Sequence, residues 1–219
     1  MVKEIITDVE KLSDRADEID IRKENALMRS IILDLKDTIR AKKLSSLSAP
    51  QLGYNKRIFC ISYGDKGIIS YVNPVISGVK GLELSKEDCS SIPNKKYIRI
   101  RNNDINIMYQ DPLGKVRSNR MIGLAAIIFQ HEMDHLDGLL ISDIGLEIDD
   151  DFENASEEER QEVVKMYLDS IDVKAKDAKE LVNKNKEVKQ ISDAIDFIES
   201  VNKGETKLGE GVKIDGKKQ

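Results

Sequence analysis

His131 and His135, the two histidines of the chain, sit four residues apart in the run Phe-Gln-His-Glu-Met-Asp-His-Leu-Asp-Gly. This spacing constrains the fold more than any other feature. On an α-helix, residues i and i+4 stack on one face, so both imidazoles can reach a single ion. Glu132, beside the first histidine, is then placed to act on a water held by that ion. The competing reading is two surface histidines on an ordinary helix. The pattern as a whole points to a metal site.

Two histidines do not complete such a site, which usually takes three protein ligands and keeps one open position. In the metzincin pattern a third histidine follows six residues after the second. Gly138 is in the expected place, but the ligand position holds Ile141, so that pattern fails. Glu147, Glu153 and Glu157 to Glu159 are downstream carboxylates, set in acidic stretches that read as solvated surface. An upstream cysteine is the remaining source. Cys60 lies in the apolar run Arg-Ile-Phe-Cys-Ile-Ser, where a buried structural thiol is the default. Cys89 lies in Lys-Glu-Asp-Cys-Ser-Ser-Ile-Pro-Asn, which reads as a polar loop. A cysteine without a core to fill is there for its reactivity, and one thiolate with two imidazoles makes a three-ligand site.

Three segments resemble the motifs of the peptide deformylase family, G-x-G-L-A-A-P-Q, E-G-C-L-S and Q-H-E-x-D-H. Here they read Leu44-Ser-Ser-Leu-Ser-Ala-Pro-Gln51, Glu87-Asp-Cys-Ser-Ser91 and Gln130-His-Glu-Met-Asp-His135, in the family's order. Tyr71-Val-Asn-Pro74 and Gly123-Leu-Ala-Ala are similar as well, and the likeness covers residues 22 to 145. The resemblance implies an α+β fold, with antiparallel or mixed sheets around a central metal-binding helix. It implies that Cys89, His131 and His135 hold one divalent metal, iron(II) in the cell, with zinc, nickel or cobalt as substitutes. It makes Glu132 the general base, and Gln51 and the Ser90 backbone N–H the oxyanion donors, in removing the formyl group from formyl-methionyl peptides. Glu87 and Arg101 are implied to pair behind the ligands. Ser46, Leu124, Ile127 and Ile128 are candidate substrate contacts, with core packing the competing reading for the last three.

The departures bear on the substrate groove. Leu44 and Ser46 replace two glycines, whose absence would narrow the path of a peptide. Asp88 replaces glycine and is expected to add a negative charge beside the metal thiolate, while Ser90 replaces leucine.

The chain has 219 residues, 34% charged and 5% aromatic with no tryptophan, and a net charge of −5, which gives no basic footprint for nucleic acid. Two cysteines fit a reducing cytoplasm. Acids interrupt the N-terminal apolar residues, and no run is long enough to span a membrane, so a cytoplasmic protein is expected. Periodicity predicts a helix over 24–42 and short strands over 58–62, 68–72, 97–101 and 105–109. Asp111-Pro-Leu-Gly-Lys115 predicts a hairpin turn, and the metal helix is expected from Arg120 to Leu136 with Gly138 as its stop. We expect a catalytic domain over 1–145, a charged helical extension over 146–201 and a disordered tail over 202–219. The extension carries stripes at Val163, Val164, Tyr167, Leu168 and Ile171 and at Leu181, Val188, Ile191, Ile195 and Ile198. Packing on its own domain is its default role; dimerisation or a partner such as the ribosome are alternatives. Against formyl hydrolysis stand hydrolysis of another N-acyl group, a non-catalytic binder of N-termini and a general metalloprotease.

Overall fold

The computed structural model describes residues 1–149, 152, 154–167 and 169. Its elements run α1 (Val9–Leu12), α2 (Asn25–Lys42), β1 (Ser46–Ser48), β2 (Ile58–Ser62), β3 (Ile68–Cys89), β4 (Ile92–Gln110), β5 (Val116–Ile122), α3 (Leu124–Leu136), α4 (Ile141–Ile144) and β6 (Leu146–Ile148). The strands form one antiparallel sheet in the order β1-β2-β3-β4-β5, and β6 joins the first part of β4 on the edge that β5 occupies further along. This is an α+β architecture, as expected.

The continuous apolar run Ile-Phe-Cys-Ile places β2 between two layers. Alternate side chains of a strand point to opposite faces. Ile58 and Cys60 therefore join α2 residues Met28, Ile31, Ile32, Leu35 and Ile39 in one core, with Leu47 and Val72. Phe59 and Ile61 face the other way and join Tyr71, Ile105, Ile107 and, from α3, Ala126, Phe129 and Leu136. Phe129 meets Phe59 edge-on with centroids 4.9 Å apart and Tyr71 at 5.2 Å, which seats α3 on the sheet.

The strands are longer than periodicity predicts. The expected 68–72 segment is the start of a 22-residue β3, and the 97–101 and 105–109 segments are both parts of a 19-residue β4. Pro74 and Gly78 read as breaks in sequence, but they fall at bulges where the register shifts between Val72 and Val75 and between Ile76 and Gly78. A bulge leaves a residue out of the ladder, so the missing proline N–H costs nothing there. Helix α3 starts at Leu124 rather than Arg120, because 120–122 complete β5 and Arg120 pairs with Asp104 across the ladder.

The expected stripe at Val163 and Tyr167 lies on helical residues 157–167, and both side chains pack with Ile98, Ile148, Ile100, Leu146 and Phe152. Leu168, Ile171, the second stripe and the tail over 202–219 lie outside the described residues. Among the described residues no helix is long and apolar enough to cross a membrane.

Arg57 anchors the end of α3 by donating to the Leu136 carbonyl at 3.1 Å and to Asp137 at 2.6 Å. Gly138 follows with φ +73°, and a Cβ there would lie 2.4 Å from the Ser13 carbonyl oxygen. Gly138→Ala is expected to destabilise by roughly 1–3 kcal/mol from strained φ plus the backbone clash. Gly64→Ala (φ +62°, open space) should lose less, because only the strain applies. Urea midpoints of the two variants compare them directly.

Candidate metal centre

The β3–β4 hairpin and α3 build the site together. Burial along the end of β3 alternates: Ser85, Glu87 and Cys89 are buried, while Lys86 and Asp88 are exposed. Period-2 geometry thus sends Glu87 and Cys89 to one face, against α3. Cys89 pairs with Ile92 across the two-residue turn Ser90-Ser91. The loop expected around Cys89 is instead the tip of a long hairpin, and its thiol is 4% exposed. Packing closes over it because α3 and Ile141 of α4 lie against the hairpin.

On α3 the i, i+4 spacing brings His131 and His135 together, with ring centroids 5.1 Å apart. One ligand atom from each of Cys89, His131 and His135 lies within 4.8 Å of the others, and His135 Nε2 is 3.2 Å from Cys89 Sγ. The expected ligand set is therefore one cluster. One thiolate and two imidazoles suit a divalent transition metal.

Electrostatics behind the ligands support the same use. Arg101 donates twice to Glu87, each time at 2.7 Å, and Ser85 adds a third hydrogen bond. Glu87 Oε2 lies 2.9 Å from His131 Nδ1, which orients that ring and leaves Nε2 for an ion. Burial favours the neutral carboxyl, but Arg101 and His131 overcome it and hold Glu87 well below the usual carboxylate range. Burial also works against a charged His131, yet Cys89 and Glu87 outweigh it and raise the imidazole to about 10. The pocket is thus set up to stabilise a positive charge, and a metal would take the place of that proton. His135 is pushed well below its ordinary value by burial, then by His131 and Arg101, so it stays neutral and able to ligate.

Glu132 is 2% exposed, and burial raises its pKa against the pull of His131 and of the Ser46 and Ser48 hydroxyls. Its Oε2 and His135 Nδ1 are buried with no hydrogen-bond partner among the described residues. An orphaned carboxylate oxygen beside three ligand atoms is what a water-activating base needs. The donor set and this orphaned atom fit a catalytic metal.

A family model, Polypeptide deformylase, matches residues 2–147. The peptide deformylase of Dictyoglomus thermophilum is 35% identical over 127 residues, covering 58% of this chain and 82% of the relative. That of Dictyoglomus turgidum is 30% identical over 146 residues, covering 65% and 95%. The crystal structure of the Thermotoga maritima peptide deformylase superposes with a TM-score of 0.61 at 30% identity, covering 66% of this chain and 97% of that one. The chain belongs to the polypeptide deformylase family. It is a metallohydrolase.

Against the family pattern, the structure relocates one expected effect. Asp88 stands on the exposed face of β3, so its charge points away from the thiolate rather than sitting beside it. Gln51 is 2% exposed and faces the hairpin tip, with Nε2 3.8 Å from Cys89 Sγ. Ser46 and Ser48 share the face of β1 that looks toward Glu132, since Ser46 pairs with Ile61 and Ser48 with Phe59 of the α3-side core. Among the helix candidates, Leu124 is 71% exposed and Ile127 is 8% exposed, on the face that carries His131. Ile128 packs against the α3-side core, the competing reading for that residue.

Sequence reasoning passed over three participants. Asp134, inside the helix motif, accepts from both Arg99 and Arg101 and ties α3 to β4. Gln130 does the same by bonding both backbone groups of Asn102. Ser48 holds Gln51 through its N–H and its hydroxyl. Their signals were present: Asp134 and Gln130 are motif letters, and Ser48 lies two positions from Ser46, hence on its face.

Arg101→Ala leaves Glu87 buried without its partner and is expected to destabilise by about 3–5 kcal/mol. It should also weaken metal binding about 10–100-fold, since the group that orients His131 loses its own support. Chemical denaturation and metal titration read the two effects. Cys89→Ser should lose metal, whereas Glu147→Gln should retain it, because Glu147 faces Lys95 at 2.8 Å on the far strand edge. Metal analysis of the purified variants checks that contrast.

Proposed function

We propose that this chain removes the N-formyl group from formyl-methionyl peptides, with Cys89, His131 and His135 holding the metal and Glu132 as the general base. The single observation that carries the reading is the convergence of three ligand atoms from Cys89, His131 and His135, with buried Glu132, next to His131 in the chain, keeping a free Oε2. When bound, the divalent metal acidifies water and polarises the acyl oxygen. Glu132 accepts a proton as water attacks the formyl carbon. It then delivers that proton to the peptide nitrogen as the C–N bond breaks, giving formate and a free amino terminus. Gln51 Nε2 and the Ser90 backbone N–H donate to the acyl oxygen while negative charge grows on it.

Ile127, one helical turn before His131, and Leu124, two turns before it, carry apolar side chains on the same helix face, and we assign them to the methionine side chain. Ser46 borders the peptide where the family has glycine. We assign iron(II) as the working metal, since a mixed thiolate–imidazole set suits it as well as zinc, nickel or cobalt. A cytoplasmic setting supplies nascent formylated chains and keeps Cys60 and Cys89 reduced. Val163 and Tyr167 are engaged by the sheet, so a ribosome contact would fall to other parts of the extension.

A second reading keeps the amide hydrolysis and changes the acyl group. It is favoured by the hydroxyls of Ser46, Ser48 and Ser90, which stand where the family pattern has glycine, alanine and leucine. Formate release from formyl-Met-Ala-Ser, compared with acetate release from its acetyl counterpart, separates the two. Under the leading reading Glu132→Ala lowers kcat about 10²–10⁴-fold, and Gln51→Ala about 10²–10³-fold. A Glu132→Ala enzyme that turns over like the parent would overturn the base assignment.

A further inference from the structure

Gln51 has no hydrogen-bonding capacity left over. Its Oε1 accepts from the Ser48 backbone N–H at 2.9 Å and from the Ser48 hydroxyl at 3.0 Å. Its Nε2 faces Ser91 Oγ at 3.1 Å and Ser90 Oγ at 3.3 Å, with Cys89 Sγ further off at 3.8 Å. A primary amide has two donor hydrogens, and the two serine hydroxyls are their nearest acceptors, ahead of Cys89 Sγ. Ser48 is fully buried and its backbone N–H holds Oε1 in place, so the amide cannot turn over to release its nitrogen without losing that bond. An acyl oxygen that is to receive a hydrogen bond from Gln51 must displace one of the two serines.

The serines are not equivalent. Ser91 is 2% exposed and closed in by the hairpin and by Gln51 itself. Ser90 is half-buried at the outer side of the turn, and its hydroxyl moves by rotation about one staggered torsion. Ser90 is therefore the partner that can leave. Leucine, the family's residue at this position, carries no acceptor to compete for the amide.

We propose that the Ser90 hydroxyl masks the Gln51 amide in the free enzyme and is displaced by the substrate's acyl oxygen, which makes Ser90 a residue that lowers kcat/KM. This inference rests on the oxyanion role proposed for Gln51. Masking adds a step that every productive complex must complete, so its cost falls on kcat/KM. The gain on unmasking is modest, because one neutral hydrogen bond is exchanged for another before charge develops. The Ser90 backbone N–H remains in place whichever way the side chain points.

The test is formate release from formyl-Met-Ala-Ser by the metal-loaded full chain. Ser90→Ala should raise kcat/KM about two- to tenfold. Ser90→Thr keeps the hydroxyl acceptor and should not reproduce that gain. In a Gln51→Ala background the Ser90→Ala gain should vanish, since there is no amide left to unmask. A second readout does not depend on turnover: in the zinc-loaded protein, NMR should show one Gln51 side-chain amide proton moving upfield in Ser90→Ala. An unchanged or lower kcat/KM, a gain that persists without Gln51, or an unmoved amide pair would each overturn the proposal. Gln51→Ala as active as the parent would instead remove the oxyanion role itself, and no formate release from any variant would overturn both.

Discussion

The buried contact of Arg101 with Glu87, continued to His131, is the interaction on which the rest of the site depends. Arg101 is 3% exposed and Glu87 7% exposed, so neither charge has water to fall back on. Taking two charges out of water is costly unless both are fully hydrogen-bonded. Here they are: Glu87 receives Arg101 twice, Ser85 and His131, while Arg101 also reaches Asp134. The network joins the β3–β4 hairpin to α3 through side chains alone. It fixes the ring of one metal ligand and the relative position of the two elements that supply all three.

The surrounding fold serves to hold α3 in place. The aromatic contacts of Phe129 seat the helix on β2 and β3, and Gln130 locks it to the backbone of β4. Arg57 closes its C-terminal end. Four consecutive α3 residues thus have separate surroundings: Phe129 packs on the sheet, Gln130 bonds the β4 backbone, His131 joins the candidate ligand cluster and Glu132 keeps a buried oxygen without a partner. The helix repeat assigns these surroundings, because 3.6 residues per turn aim neighbours in different directions.

Three of the departures from the family pattern, at 46, 48 and 90, bring in hydroxyl groups. Ser46 and Ser48 lie against Glu132, and Ser48 and Ser90 against Gln51, the two groups proposed to act on the reacting atoms without binding metal. Each hydroxyl is a small donor and acceptor that competes with substrate for the same hydrogen bonds. The candidate ligand set thus keeps the family's residue types, while the departures fall on the residues proposed to face the acyl group.

Local chemistry makes α3 with its candidate base and its two candidate histidine ligands legible in the chain itself, because helical spacing and side-chain type are properties of the segment. The α2 stripe, the β2 run and the Asp111 turn are readable for the same reason. The length of β3 and β4 is not, since Pro74 and Gly78 look like breaks until a partner strand turns them into bulges. The direction of Asp88 also depends on strand pairing: once Cys89 and Glu87 face α3, the residue between them must face solvent. The saturation of Gln51 requires tertiary structure as well, because hydroxyls from β1 and from the hairpin turn, 39 and 40 residues beyond Gln51, meet only when the sheet closes. Spacing along the chain decides which side chains share a face, whereas hydrogen-bond competition is decided by which faces are brought together.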